Sequence, residues 1–327
     1  MNTFDATMTI DAPPQSGDAP QSGRLPHLSV LRFSGPDSLS FLQGQVSNDT
    51  RRLAENRSLF AAFSSPQGRV LALMHLLPHS SGVIAILPRE LVLPTLEGLR
   101  KFVLRAKVKI EDAGELLFVA GQHGRSRLQS AGFPEKADYA EKAGYTEKEA
   151  IGVAAVNGDP GRYWVIGAPE KLAEHGLDGG TVQVEQIEHD WRLADTRAGL
   201  PQIYLATREA FVAQMLNLDL LDGISFSKGC YTGQEIIART QHLGRIKRRL
   251  YRLQLPLGEW RIGQTLRLRD GRAGRLAEVV RSGGGYEALA VLNMDATTAA
   301  ADGNSGDGES ADGTPIAAAG LPLPYQV

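Results

Sequence analysis

Short apolar runs with a period of two and amphipathic runs with helical period follow one another irregularly along this chain. That order excludes the strict strand–helix alternation of a doubly wound parallel sheet and points to an α+β fold. Residues 28–33 read as a strand. Gly35-Pro36 opens a helix, since proline suits the first helical turn, and Leu39, Leu42 and Val46 give it an apolar side. Residues 58–63 and 69–77 form a hairpin around Ser65-Pro66-Gln67-Gly68, and 83–87 form another strand. Residues 88–103 have a helical pattern, with Pro94 expected to bend or divide it. Further strands fit 116–120, 152–156 and 163–166. Residues 187–198 form an amphipathic helix with Ile187, Trp191 and Ala194 on one side, ended by Gly199 and Pro201. From Leu250 onward short strands alternate with glycine turns, the pattern of a small C-terminal β-barrel.

A chain of 327 residues holds two or three packed units. Residues 1–24 repeat small and polar types and are expected to be disordered. A similar bias over 297–313 marks an insertion before a last strand at Leu321 to Tyr325. The ordered units are then 25–245 and 246–327. The net charge is −2, so neither an anionic membrane nor direct nucleic-acid binding is called for. The N-terminal stretch lacks the basic and apolar regions of a secretion signal, and no run is long enough to span a bilayer. A cytoplasmic location is expected. Cys230 is the only cysteine. An internal disulfide is therefore excluded, and a lone thiolate cannot supply the ligand set of an iron–sulfur cluster. The histidines show no metal-ligand spacing.

The informative stretch runs from Ile224 to Glu235. Thr232 and Glu235 have capping-box spacing, which predicts a helix through Ile236, Ile237 and Ala238 to near Gly244. Cys230 then lies two residues before a helix N-terminus, where free N–H groups and the dipole favour an anion. Lys228 adds positive charge. Gly229 and Gly233 suit a loop that lets a ligand approach closely. On this reading Cys230 is the reactive group and Lys228 its neighbour; the alternative is a small buried residue in a tight turn. Trp191 likewise has two readings, as core packing or as the wall of a ligand cavity.

Lys228-Gly229-Cys230-Tyr231-Thr232-Gly233-Gln234-Glu235 resembles the signature of the YgfZ family of folate-binding proteins. Phe41 to Asp49, Arg197-Ala198-Gly199-Leu200-Pro201 with Asn217, Arg239 with His242-Leu243-Gly244, and Leu323-Pro324-Tyr325 resemble other parts of that family, so the likeness runs from Leu25 to Tyr325. The family is similar to the glycine-cleavage T-protein. The resemblance implies two interleaved N-terminal α+β lobes and a C-terminal β-barrel around a central folate cavity. It implies tetrahydrofolate, or another reduced folate, as cofactor, with Trp191, Asn217, Tyr231, Gly233, Gln234, Glu235 and Arg239 on the binding side. It also implies a role in assembly or repair of iron–sulfur enzymes, including tRNA-modifying ones. Its partners would be iron–sulfur client or assembly proteins, and its action would depend on Cys230.

Two positions depart from relatives. Leu28 stands where a tryptophan is common, which removes one aromatic wall, and Ala213 stands for a proline. T-protein enzymes carry an acidic pair after the hairpin turn; here the matching residues are Leu71, Ala72 and Leu73. General acid–base chemistry needs a titratable group in reach, so an active aminomethyltransferase is not expected. A folate-dependent one-carbon or aminomethyl transferase is the alternative function, and a plain interaction scaffold a third. The run Arg245, Lys247, Arg248, Arg249 and Arg252 reads as a solvated face of the barrel or as a site for the acidic tail of folate polyglutamate.

Overall fold

A computed structural model describes residues 22–133, 144–157, 159–178, 184–242, 244, 246–294 and 315–327. The expected disorder of residues 1–21, the insertion at 297–313, and Leu243 and Arg245 lie outside the described residues.

Three five-stranded antiparallel sheets make the framework. β1 (Ser22–Arg24) is followed by β2 (Leu28–Ser34), α1 (Ser38–Gln43), β3 (Leu59–Ser64), β4 (Val70–His79), β5 (Gly82–Pro88), α2 (Val92–Arg100) and β6 (Lys109–Asp112). The first sheet has the order β3-β4-β5-β2-β6. β3 is buried along its whole length, and β4 and β5 along most of theirs, because this sheet is covered on both faces. Pro94 neither bends nor divides α2. It sits in the first turn, where its missing N–H has no helical partner to lose.

The second sheet adds β7 (Phe118–His123), β8 (Tyr145–Lys148), β9 (Ile151–Val156) and β10 (Asp159–Gly167), with α3 (Ser126–Ser130) and α4 (Pro169–Glu174) beside it. Its order is β1-β7-β10-β9-β8. The described residues thus begin in the second sheet and then build the first, which interleaves the two. Ser22 to Arg24, expected at the end of a disordered stretch, instead pair with Gln122 to Ala120. Backbone pairing with a distant strand overrides their polar composition.

α5 (Val184–Ala198) packs between β1 and the third sheet. That sheet follows α6 (Gln234–His242) and comprises β11 (Arg248–Leu255), β12 (Thr265–Arg267), β13 (Ala273–Ser282), β14 (Gly285–Asn293) and β15 (Ala319–Leu321). Its ladders run β12-β13-β14-β11-β15 and stay open, with a single parallel bridge between Leu268 and Ile316 joining the two ends. The expected β-barrel is seen as this five-stranded antiparallel sheet, with no ladder closing it among the described residues. β12 and β15 are too short to pair as a ladder, and Pro322 and Pro324 end the last strand at Leu321 by removing its donors. No helix among the described residues is long and apolar enough to cross a membrane.

Charged pairs fasten α5 to the third sheet. Arg192 lies 2.6 Å from Glu278, and Glu287 accepts from both Arg197 (2.8 Å) and Arg252 (2.5 Å). Burial alone would raise the Glu287 carboxyl, but hydrogen bonds from Arg197, Arg252 and Ser282 outweigh it and hold it at about 2. A carboxyl depressed on folding stabilises above its unfolded value and loses that contribution as pH falls toward its folded one. Glu287→Gln is therefore expected to destabilise the protein at pH 7. Denaturant unfolding across pH should show this penalty shrinking from about pH 4.5 and gone near pH 2.

Candidate functional site

The loop carrying Cys230 lies against the segment Gln43 to Asn48. Ser225 N–H donates to Ser47 O at 2.9 Å and Thr232 N–H to Gly44 O at 3.2 Å. Lys228 is 5% exposed, and its ammonium donates to Gln43 O (2.7 Å), Val46 O (2.7 Å) and Asn48 O (2.9 Å). All three donors of the lysine are thereby used. Burial pulls it down to about 8, against the opposing charge of Asp49. The receiving segment is itself fixed: Ser47 Oγ donates to Gly223 O, and Asn48 Nδ2 donates to Phe60 O and Asp222 O. Cys230 is exposed on this braced loop. Lys228 is thus a brace, its charge directed into backbone carbonyls and not toward the sulfur.

The expected capping box does not form. Thr232 Oγ1 donates to Gln45 Oε1 at 3.3 Å, and α6 begins at Gln234, whose Oε1 accepts from Tyr231 N–H at 3.2 Å. Glu235 instead pairs on the surface with Arg239 at 3.0 Å, one turn on. Gly233 has φ +81°, and a Cβ there would stand 2.5 Å from Ser65 O. The close approach it permits is to the β3–β4 turn, while an added Cβ at Gly229 meets open space. Tyr231 is buried under the Lys228 ammonium, 4.8 Å from its ring centroid, and burial pushes its hydroxyl up to about 12. That hydroxyl has no hydrogen-bond partner.

Asn217 is fully buried in the left-handed region, φ 58°. Its Nδ2 donates to Leu250 O at 2.9 Å, and its Oδ1 accepts from Leu250 N–H at 3.3 Å. It ties its turn to β11. The basic run is largely occupied: Arg249 grips Asp219 with two bonds, Arg252 grips Glu287, and Arg248 Nε donates to Asn293.

Trp191 belongs to a second centre, where α5 meets β7, β10 and the first sheet. A Cβ at Gly121 would sit 2.4 Å from Trp191 Cε3, so only glycine leaves room for the indole. Trp191 packs on Trp164 (4.8 Å between centroids), and Trp164 lies 5.1 Å from His75, which stacks on Phe60 at 4.7 Å. Arg162 lies over Trp191 at 4.6 Å. Its Nε donates to Asp159 Oδ2, and its Nη1 is 2.7 Å from Asp195 Oδ1, without hydrogen-bond alignment. Burial raises the Asp195 carboxyl despite Arg162. Burial, with Arg162, draws His75 down to about 3, so its imidazole is neutral at pH 7. Arg162 Nη2, Trp164 Nε1, Trp191 Nε1 and Gln122 Oε1 are buried without partners.

Trp191 and Cys230 are joined by no hydrogen bond, ion pair or ring contact among the described residues, so the predicted residues fall into two centres plus structural ties. Arg162, Asp195, Trp164 and His75 were not singled out from the sequence. A signal did exist for Asp195: a carboxylate one helical turn after Trp191, on the apolar side of its helix.

No family model matches the chain. It is 32% identical over 291 residues to tRNA-modifying protein YgfZ of Pectobacterium carotovorum subsp. carotovorum (strain PC1), covering 85% of each chain. It is 31% identical to the protein of that name in Escherichia coli (strain SE11), over 82% of this chain and 83% of the relative. The one in Colwellia psychrerythraea is 31% identical over 71% of each. Among solved structures, the glycine cleavage system aminomethyltransferase T of Bartonella henselae superposes with a TM-score of 0.56 at 13% identity, over 84% of this chain and 78% of that one. It shares the fold.

Proposed function

The chain belongs to the YgfZ family, and from that premise we propose that it binds a reduced folate at the Trp191 centre and presents Cys230 to iron–sulfur enzymes or their assembly proteins, tRNA-modifying ones among them. The observation that carries this reading is the Cys230 loop. Its lysine holds the loop against the backbone of Gln43, Val46 and Asn48, and the thiol two residues on is left exposed. A fold has little use for so many bonds spent on an exposed thiol unless the thiol is used.

The Trp191 centre suits a pteridine chemically. Arg162 Nη2 and the two indole N–H groups are unpartnered buried donors, Gln122 Oε1 is an unpartnered acceptor, and Asp195 is a buried carboxylate. Unmet polar groups of this kind cost stability, and a ligand with its own donors and acceptors would satisfy them. A bound reduced folate would supply a carrier for a one-carbon unit. Trp164 and Trp191 are 1% and 0% exposed, so binding is coupled to an opening of this junction. At the hairpin, Leu71, Ala72 and Leu73 are buried and offer no proton-transfer group, which supports the accessory role over the transferase.

Tetrahydrofolate is expected to quench tryptophan fluorescence saturably in wild type and in Cys230→Ser alike. In a deletion strain, Cys230→Ser is expected to leave thiolated tRNA nucleosides, measured by mass spectrometry, at the level of the empty vector. Full rescue by Cys230→Ser would sink the thiol role, and absence of saturable quenching would sink the folate role.

A further inference from the structure

The surface around residues 93–107 is apolar and basic at once. Leu104 is 87% exposed, Leu93 61% and Phe102 38%, and Leu39, placed on the apolar side of α1 by its spacing, stands at 37%. Arg100, Lys101, Arg105 and Lys107, which flank Phe102 and Leu104 along the chain, are exposed as well. None of the four forms an ion pair among the described residues, in contrast to Arg249 and Arg252. From Arg105 to Ile110 exposure alternates, with Arg105, Lys107 and Lys109 outward and Ala106, Val108 and Ile110 turned in, as in an extended segment with one basic face.

This loop and the Cys230 loop are fixed to opposite ends of the same helix. Lys107 N–H donates to Asp37 Oδ2 at 2.6 Å, just before α1. The other end of α1 is held by Lys228 on Gln43 O and by Thr232 on Gly44 O. α1 has six residues and is therefore about 9 Å long. A protein interface of ordinary size, about 800 Å² per partner, is wider than this helix is long and takes in both of its ends. On the Cys230 loop, Phe226 is 42% exposed.

We propose that the face running from Leu104 across α1 to Cys230 is the docking surface for a client or assembly protein that presents an apolar recess rimmed by carboxylates. The inference rests on the function proposed above and names the chemistry of its partner. An aliphatic tip inside a basic ring matches the apolar core and polar rim of protein interfaces. RNA would offer phosphates to the basic residues and stacking faces to Phe102 and Phe226. But the most exposed apolar side chain of the face is the aliphatic Leu104, at 87%, which a base does not stack on and an apolar recess covers.

The test uses full-length protein carrying Leu104→Asp or, separately, Arg105→Glu, in the deletion strain and in purified form. Both side chains are exposed, so unchanged Tm and unchanged tetrahydrofolate quenching are expected. Thiolated tRNA nucleosides are expected to fall at least tenfold, toward the Cys230→Ser level, while Leu104→Met restores them. A photoreactive residue at position 104 is expected to form one protein adduct in cells, lost when Arg105→Glu is added. Purified wild type is expected to bind neither total tRNA nor vesicles of 30% phosphatidylglycerol in phosphatidylcholine. Full rescue by both variants, with Cys230→Ser inactive, would overturn the docking face and leave the thiol role standing; an active Cys230→Ser would overturn the thiol role itself. Binding of wild type to tRNA or vesicles that Leu104→Asp abolishes would assign the face to a different occupant and overturn the proposal.

Discussion

Lys228→Met is expected to lower stability by about 3 kcal/mol and to abolish function although Cys230 is still present. Methionine matches the length of the stem but donates nothing. Gln43 O, Val46 O and Asn48 O, which now share the ammonium, would lose their partner in a place water reaches poorly. Each buried acceptor left unmet costs about 1–3 kcal/mol, and relaxation of the loop recovers part of it. For a chain of 327 residues the loss corresponds to a fall of about 4–5 °C in Tm. Lys228→Arg is expected to fall between, because a planar fork cannot aim three donors at three converging carbonyls. Cys230→Ser, at an exposed position, is expected to stay within about 0.5 kcal/mol of wild type. Scanning calorimetry and the tRNA-nucleoside assay on the three variants would separate the roles. If Lys228→Met matched wild type in both, the braced-loop account would be wrong.

The reversal in how Lys228 reads shows where sequence reasoning stops. From residues 224–235 alone, a lysine two positions from a cysteine looks like a charge offered to the sulfur. Its actual partners lie 180 to 185 positions away, and nothing local announces them. The same limit removed the capping box, since Thr232 meets Gln45 rather than the helix it was expected to cap. Mainly apolar strands such as β2, buried along most of its length, and the amphipathic α5 were legible because their apolar pattern is intrinsic. β1, β6 and β8 were not, because short polar strands exist only through their pairing partners. Arg162 and Asp195 escaped notice for a related reason: a charged residue reads as surface until a buried opposite charge is found for it.

Asp195→Asn is expected to leave the protein at least as stable as wild type at pH 7 while weakening tetrahydrofolate binding about 10- to 100-fold. The carboxyl is 8% exposed, and burial raises it above its ordinary value even with Arg162 beside it. A raised carboxyl means that the folded state holds the proton more tightly than the unfolded one. Its contribution is therefore most favourable at low pH and declines as pH rises from the ordinary carboxyl range to the raised value. At neutral pH the ionised side chain is a net cost to the fold. Asparagine removes that charge and keeps the shape, and Arg162 retains its 2.7 Å bond to Asp159. The stability gain should shrink as pH falls and vanish near pH 3, roughly a unit below the free aspartate value. A costly carboxylate that a neutral isostere improves belongs to binding rather than folding, and a ligand with N–H donors would lose a charge-assisted bond without it. The opposite pattern would be a loss of about 3 kcal/mol, the usual cost of breaking a buried ion pair, with unchanged folate affinity. That result would make Asp195 the structural counterion of Arg162 and move the folate site away from the Trp191 centre.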